Sequence, residues 1–312
     1  MGMNADRKHL TELPERDLDI LRMFAVLFVL GDHLMSVNGV RLPLITDWAL
    51  GRLGVLLFFF HTSTVLMSSL ERGGTSNGWV RRFYVRRALR IYPLAIATVL
   101  AVVLFTIPTN PRGSPAAHTF RIIAANLTLT QNLAGIPDVL GPLWSLPLEV
   151  QMYVVLPVAY LIARKGVRPA LLLFAIAAIV GLAYPTARAH LPGIWRLNVL
   201  SFAPMFTFGV LFYAWLSAGH RMPQPRESRF TRGAKIICTY SYGIYLLHYV
   251  ALWVAFVRMQ NAPAVIQWGT FVALVVSLPY VAYRFIERPG IELGQRLVHR
   301  RSVTLAATQP AP

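Results

Sequence analysis

An all-α, polytopic transmembrane helical bundle of about eight spans is the fold class that this sequence predicts. Three observations predict it. The 312 residues are 55% hydrophobic and only 14% charged, with a mean hydropathy of +0.52, too apolar for an ordinary soluble domain. Apolar runs long enough to cross a bilayer recur along the chain. Basic residues collect in short stretches between those runs, which is the positive-inside pattern. A net charge of +17 in a soluble protein would suggest nucleic acid. Placed between apolar runs, it argues for a lipid bilayer as partner and against nucleic acid.

The expected spans are 18–37, 48–70, 88–107, 148–163, 169–187, 197–217, 236–257 and 264–286. The first follows a polar segment, 1–17, and has full span length, so it reads as an uncleaved signal anchor. The third is preceded by an arginine-rich loop, 71–90. A ninth apolar stretch, 119–134, is rich in Asn, Thr and Gln. Loop charge decides whether it crosses. With eight spans, Arg7, Lys8 and Arg16, the 71–90 loop, Arg164 to Arg168, the 218–235 loop and the tail from Arg288 all fall on one side. One more crossing would invert every later loop. Residues 108–147 are therefore expected on the outer face, re-entrant or lying on the interface, with both termini cytoplasmic. Residues 18–297 form one transmembrane domain, and 298–312 a disordered cytoplasmic tail. Cys238 is the single cysteine, which excludes an internal disulfide and any cysteine metal site.

Several polar residues stand where a span should be apolar. Arg22 and His33 lie eleven residues apart, about 16 Å along one helix face. Ionisable groups inside a span are costly and are functional candidates by default. The plainer reading is that Arg22 snorkels and His33 packs in the bundle. In FYVRRALRIYP, Arg86, Arg87 and Arg90 stand at the cytoplasmic mouth of the third span, where such an array can hold phosphates or merely flank a helix. In GPLWSLPLEVQMYVVLPV, Glu149 follows Pro147 in a first helical turn. It is expected near the outer face, orienting His33 or a substrate hydroxyl, unless it is simply a helix-start residue. His248, three residues after Tyr245, reads as a core histidine or a substrate contact. Glu287 reads as the structural partner of a local arginine.

These motifs, in this order, resemble the acyltransferase-3 family. RMFAVLFVLGDH carries the family's basic residue and His at Arg22 and His33. Arg87 and Arg90 match its Arg-x-x-Arg, and Trp144, Ser145, Leu146 and Glu149 match its Trp-Ser-Leu-x-x-Glu. YSYGIYLLH and RFIERP follow, so the likeness runs from Leu18 to Leu297. The resemblance implies a bacterial inner-membrane O-acyltransferase that moves an acyl group, most simply acetyl, from acyl-coenzyme A to a surface or secreted glycan. It implies no permanently bound cofactor. His33 is then the general base, since a sugar hydroxyl needs one near neutral pH, and Glu149 orients it. Arg86, Arg87 and Arg90 hold the donor phosphates. Arg22, Trp144, Ser145, Gln151, Tyr153 and His248 are further substrate contacts. There are departures. Val150 replaces a second carboxylate, Phe59 to Thr64 replaces a Phe-x-x-Ser-Gly-Phe element, and a helix or helix pair is missing before YSYGIY. The alternatives are a glycan transporter or flippase, and a catalytically inactive paralogue.

Overall fold

The structure, a computed structural model, describes residues 13–40, 49–75, 77–114 and 118–307, with side chains as far as Val298. Its long helices are α1 (Glu15–Val37), α2 (Ala49–Gly73), α3 (Trp79–Leu104), α6 (Leu146–Ala163), α7 (Val167–His190), α8 (Val199–Ser217), α9 (Arg229–Trp253), α10 (Ala264–Ala282) and α11 (Arg288–Ala307). Two short helices, α4 (Phe120–Leu127) and α5 (Gln131–Ala134), lie between α3 and α6. Among the described residues, eight stretches are long and apolar enough to cross a membrane, as the hydropathy pattern predicts. The last of them runs from Ala264 through a π-helical turn, Tyr283–Glu287, into α11.

The 119–134 stretch does not cross. At 1.5 Å per residue, the eight residues of α4 span only about 12 Å. Its polar residues hold it against the bundle. Asn126 donates to the Ile122 and Pro137 carbonyls and accepts from the Val139 amide, while Asn132, Asn198 and Gln151 link α5 to the neighbouring helices.

Three boundaries differ from expectation. The arginine-rich stretch from Arg81 to Arg90 is helical and belongs to α3, because nothing between Trp79 and Pro93 breaks a helix. α9 begins at Arg229, seven residues early, where Ser228 and Thr231 form a capping box. The tail expected to be disordered continues as helix to Ala307. Leu297 to Ala307 contains neither Gly nor Pro to stop it, and 308–312 lie outside the described residues.

α1 packs between α2 and α9; α2 also meets α8, α8 meets α7, α9 meets α10, and α11 folds back on α3. Small residues allow the closest approaches. A Cβ on Gly54 would come within 2.8 Å of Val29, so glycine is what lets α2 reach α1. α7 and α10 face outward, with Leu172, Ile179, Leu182, Val272 and Val276 exposed, as suits lipid contact. The buried side chains therefore gather between α1, α2, α3, α6, α8 and α9, and the polar ones among them define the site.

Candidate active site

α1 and α9 supply a histidine pair. His248 is 1% exposed, and its Nδ1 lies 2.7 Å from the Tyr245 carbonyl oxygen and 3.2 Å from that of Ile244. Carbonyls only accept, so Nδ1 of His248 carries the proton. Its Nε2 then has the lone pair that meets Nδ1 of His33 at 2.9 Å. In the neutral pair His33 therefore donates from Nδ1 and keeps a lone pair on Nε2. The Tyr249 ring stands perpendicular to the His33 ring in a T-shaped contact, 4.8 Å between centroids.

Below this pair, toward the N-terminal end of α1, lies a cavity inside the bundle. Arg22, His61, Arg87, Arg90, Glu149, Tyr153 and Tyr242 supply its polar wall, and Val55, Phe58, Phe59 and Leu66 its apolar one. Arg22 does not snorkel. Its Nε donates to Ser241 Oγ at 2.6 Å and its guanidinium lies over Phe58, 5.7 Å from the centroid. Tyr153 donates to a Glu149 carboxylate oxygen, and Glu149 faces Arg22, Arg87 and Arg90 electrostatically. Arg90 is paired with Glu287 at 3.2 Å, so Glu287 does pair with an arginine, but with one on α3 rather than a local one. At the upper end Ser145 and Tyr245 share a 2.5 Å hydrogen bond between the cavity and the histidine pair.

Several expected positions need correcting. Glu149 is not beside His33: it is bonded to Tyr153 and faces the arginines, while His33 is bonded to His248. The reason is the 3₁₀ turn Gly141–Ser145, which enters the bundle before α6 starts and buries Leu140, Leu143, Leu146 and Leu148. Gly141 permits that entry, since a Cβ there would lie 2.9 Å from Cζ of Tyr249. Arg87 and Arg90 line the cavity rather than a mouth, and Arg86 is not in its wall. Trp144 packs at a tilt against Phe202, and Gln151 donates to Asn132, so both act as packing and anchoring groups here. His61 is the cavity residue that sequence reasoning passed over. It carries the same signal as His33, a histidine inside an apolar run.

The fold and this site define a multi-pass membrane protein with a charged cavity inside its helical bundle. The chain belongs to the acyltransferase-3 family, whose model, described as an acyltransferase domain, matches residues 15–221. It is 28% identical over 181 residues to the peptidoglycan O-acetyltransferase OatA of Listeria monocytogenes, covering 53% of this chain and 27% of that one. It is 30% identical over 159 residues to the acyltransferase MdmB of Streptomyces mycarofaciens, covering 46% and 39%. Nodulation protein 10 of Rhizobium leguminosarum is 25% identical over 370 residues, covering 91% and 95%. The chain thus spans well under half the length of the first two relatives. No solved structure matches it.

Proposed function

We propose that the protein is a membrane O-acyltransferase that moves an acetyl group from acetyl-coenzyme A to a hydroxyl of a surface or secreted glycan. The single observation that carries this reading is the buried contact of His33 Nδ1 with His248 Nε2 at 2.9 Å, from which the tautomers above follow. Nε2 of His33 is a base with a lone pair, held by a buried partner whose own proton is committed to backbone carbonyls. Relatives named as peptidoglycan O-acetyltransferases support a glycan acceptor. The cavity supports an anionic donor, because its arginines suit phosphate.

In this reading the acceptor oxygen attacks the thioester carbonyl carbon and its proton passes to Nε2 of His33. The tetrahedral intermediate collapses, the C–S bond breaks, and the sulfur leaves with the proton that His33 returns. His248 accepts from Nδ1–H throughout and supports the imidazolium, the part a carboxylate plays in a serine-protease triad. Glu149 does not orient the base; it balances the arginines that hold the donor. The protein lies in the bacterial inner membrane, with the arginine-rich ends of its helices toward the cytoplasm, where the donor is made.

The test is coenzyme A release by the purified protein in lipid nanodiscs, given acetyl-coenzyme A with and without glycan, alongside mass spectrometry of surface glycans from cells with and without the protein. The expected result is acceptor-dependent thiol release and an ester mass lost without the protein. Thioester left intact in the presence of acceptor, with no glycan ester lost, would return the protein to the transporter or inactive readings.

A further inference from the structure

His61 has no role in the mechanism above, yet it is buried, 4% exposed, in the wall of the cavity. Its position follows from helix register. Gly51 of α2 meets Asp32 of α1, and Gly54 meets Ala25 and Val29. Continuing this antiparallel register two turns from Gly54 brings His61 opposite Arg22, and both line the cavity with Arg87. Nδ1 of His61 is walled off and has no hydrogen-bond partner. A buried N–H left orphaned is rare, and an orphaned acceptor is better tolerated, so the ring proton belongs on Nε2. Since His61 lines the cavity and Nδ1 is enclosed, Nε2–H is the group left to face it.

A second orphan shares this wall. Nε of Arg87 is also buried without a partner. Nε of Arg87 and Nε2–H of His61 are then two donors in one cavity to which the described residues offer no acceptor, and they point to a ligand that accepts from both. The charges say which kind. Arg22, Arg87 and Arg90 bring three positive charges against two negative ones from Glu149 and Glu287, leaving one unmatched. An anion with several acceptor oxygens fits both the donors and the charge.

We propose that His61 and Arg87, opposite Arg22, hold the diphosphate of the coenzyme A donor, with His61 donating from Nε2 to a phosphate oxygen. This rests on the donor reading above and deepens it. Arg22 and His33 are separated by about 16 Å of helix, a distance comparable to an extended pantetheine arm. A diphosphate at the level of Arg22 and His61 would therefore present its thioester near His33.

The experiment uses the full chain in nanodiscs, with coenzyme A as the binding probe and two acetyl donors, acetyl-coenzyme A and S-acetylpantetheine, which lacks the diphosphate. His61→Leu should weaken coenzyme A binding about ten- to a hundred-fold, the effect of losing one hydrogen bond to a charged group. His61→Gln, which can place an amide N–H near Nε2, should stay close to wild type. S-acetylpantetheine should be used equally by wild type and His61→Leu. Equal coenzyme A affinity in wild type and His61→Leu overturns this inference and leaves the donor reading standing. A defect that persists with S-acetylpantetheine also overturns it, because His61 would then act at the thioester. If wild type itself does not bind coenzyme A, the donor reading fails and takes this inference with it.

Discussion

At the scale of single residues, the pairing of His33 with His248 joins positions 215 apart in sequence. The sequence marks each histidine as unusual, but nothing in one sequence says that they touch, so the natural partner to look for was the carboxylate at Glu149. His33→Ala should lower turnover by about 10²- to 10⁴-fold, the usual effect of removing a general base, with the protein still inserted and folded. Ester content of the glycan at equal expression measures it, and a near-normal content would sink the assignment. His248 acts through His33. His248→Leu should lower kcat with the donor KM unchanged, while His248→Gln, whose amide oxygen can accept from Nδ1–H, should recover part of the loss. Equal defects in the two variants would mean that His248 only fills space. Arg87→Ala should weaken donor binding more than acceptor binding. Lys at that position should rescue only part, because a point charge does not reproduce the planar fork of five donors. Isothermal titration with coenzyme A reads both. Glu149→Gln keeps an acceptor for Tyr153 but removes the charge that faces the arginines. It should therefore move the donor KM, and a large fall in kcat at unchanged KM would put the carboxylate back in the chemistry.

Among the elements, the long spans were legible because hydropathy and length are properties of the chain alone. Their ends were not. The start of α3 was hidden by arginines that read as a loop, and the depth of α6 depends on the turn Gly141–Ser145 packing against Tyr249. The segment between α3 and α6 was legible as non-crossing from its Asn, Thr and Gln content, but its buried bonds were not. Asp138 in that segment accepts a hydrogen bond from Gln131 at 3.0 Å, and burial pushes its carboxyl up to about 6. A carboxyl raised in the folded state binds its proton more tightly there than when unfolded. Its folded form is favoured below the unfolded value near 4, loses ground as pH rises toward 6, and stays penalised above that. The two-unit difference corresponds to about 3 kcal/mol as an upper figure. Asp138→Asn should remove this slope, so thermal melting in detergent between pH 4 and 7 should fall with pH in wild type and stay flatter in the variant. Parallel curves would mean that the carboxyl is not held protonated.

For the whole molecule, eight crossings require both termini on one side, with the segment before α6 on the other. A reporter fused after Pro137 should report the outer side and one at the C-terminus the cytoplasm; a cytoplasmic signal at Pro137 would refute the topology. The family likeness was legible in the motifs, and the family model bears it out over residues 15–221, whereas α9 with His248 lies beyond that match. The nodulation relative aligns over 370 residues, more than the 312 of this chain, so it carries residues with no counterpart here. The short hydrogen bond between Ser145 and Tyr245 has an electrical consequence. If water enters the cavity from the arginine-rich side, it carries that side's potential as far as Tyr245, and the voltage then falls across the layer that holds the histidines. At about 2.3 kcal/mol per elementary charge per 100 mV, a proton bound or released at His33 would in that case sense much of the transmembrane field. Turnover in sealed vesicles should then depend on the imposed voltage, a dependence that detergent solution abolishes.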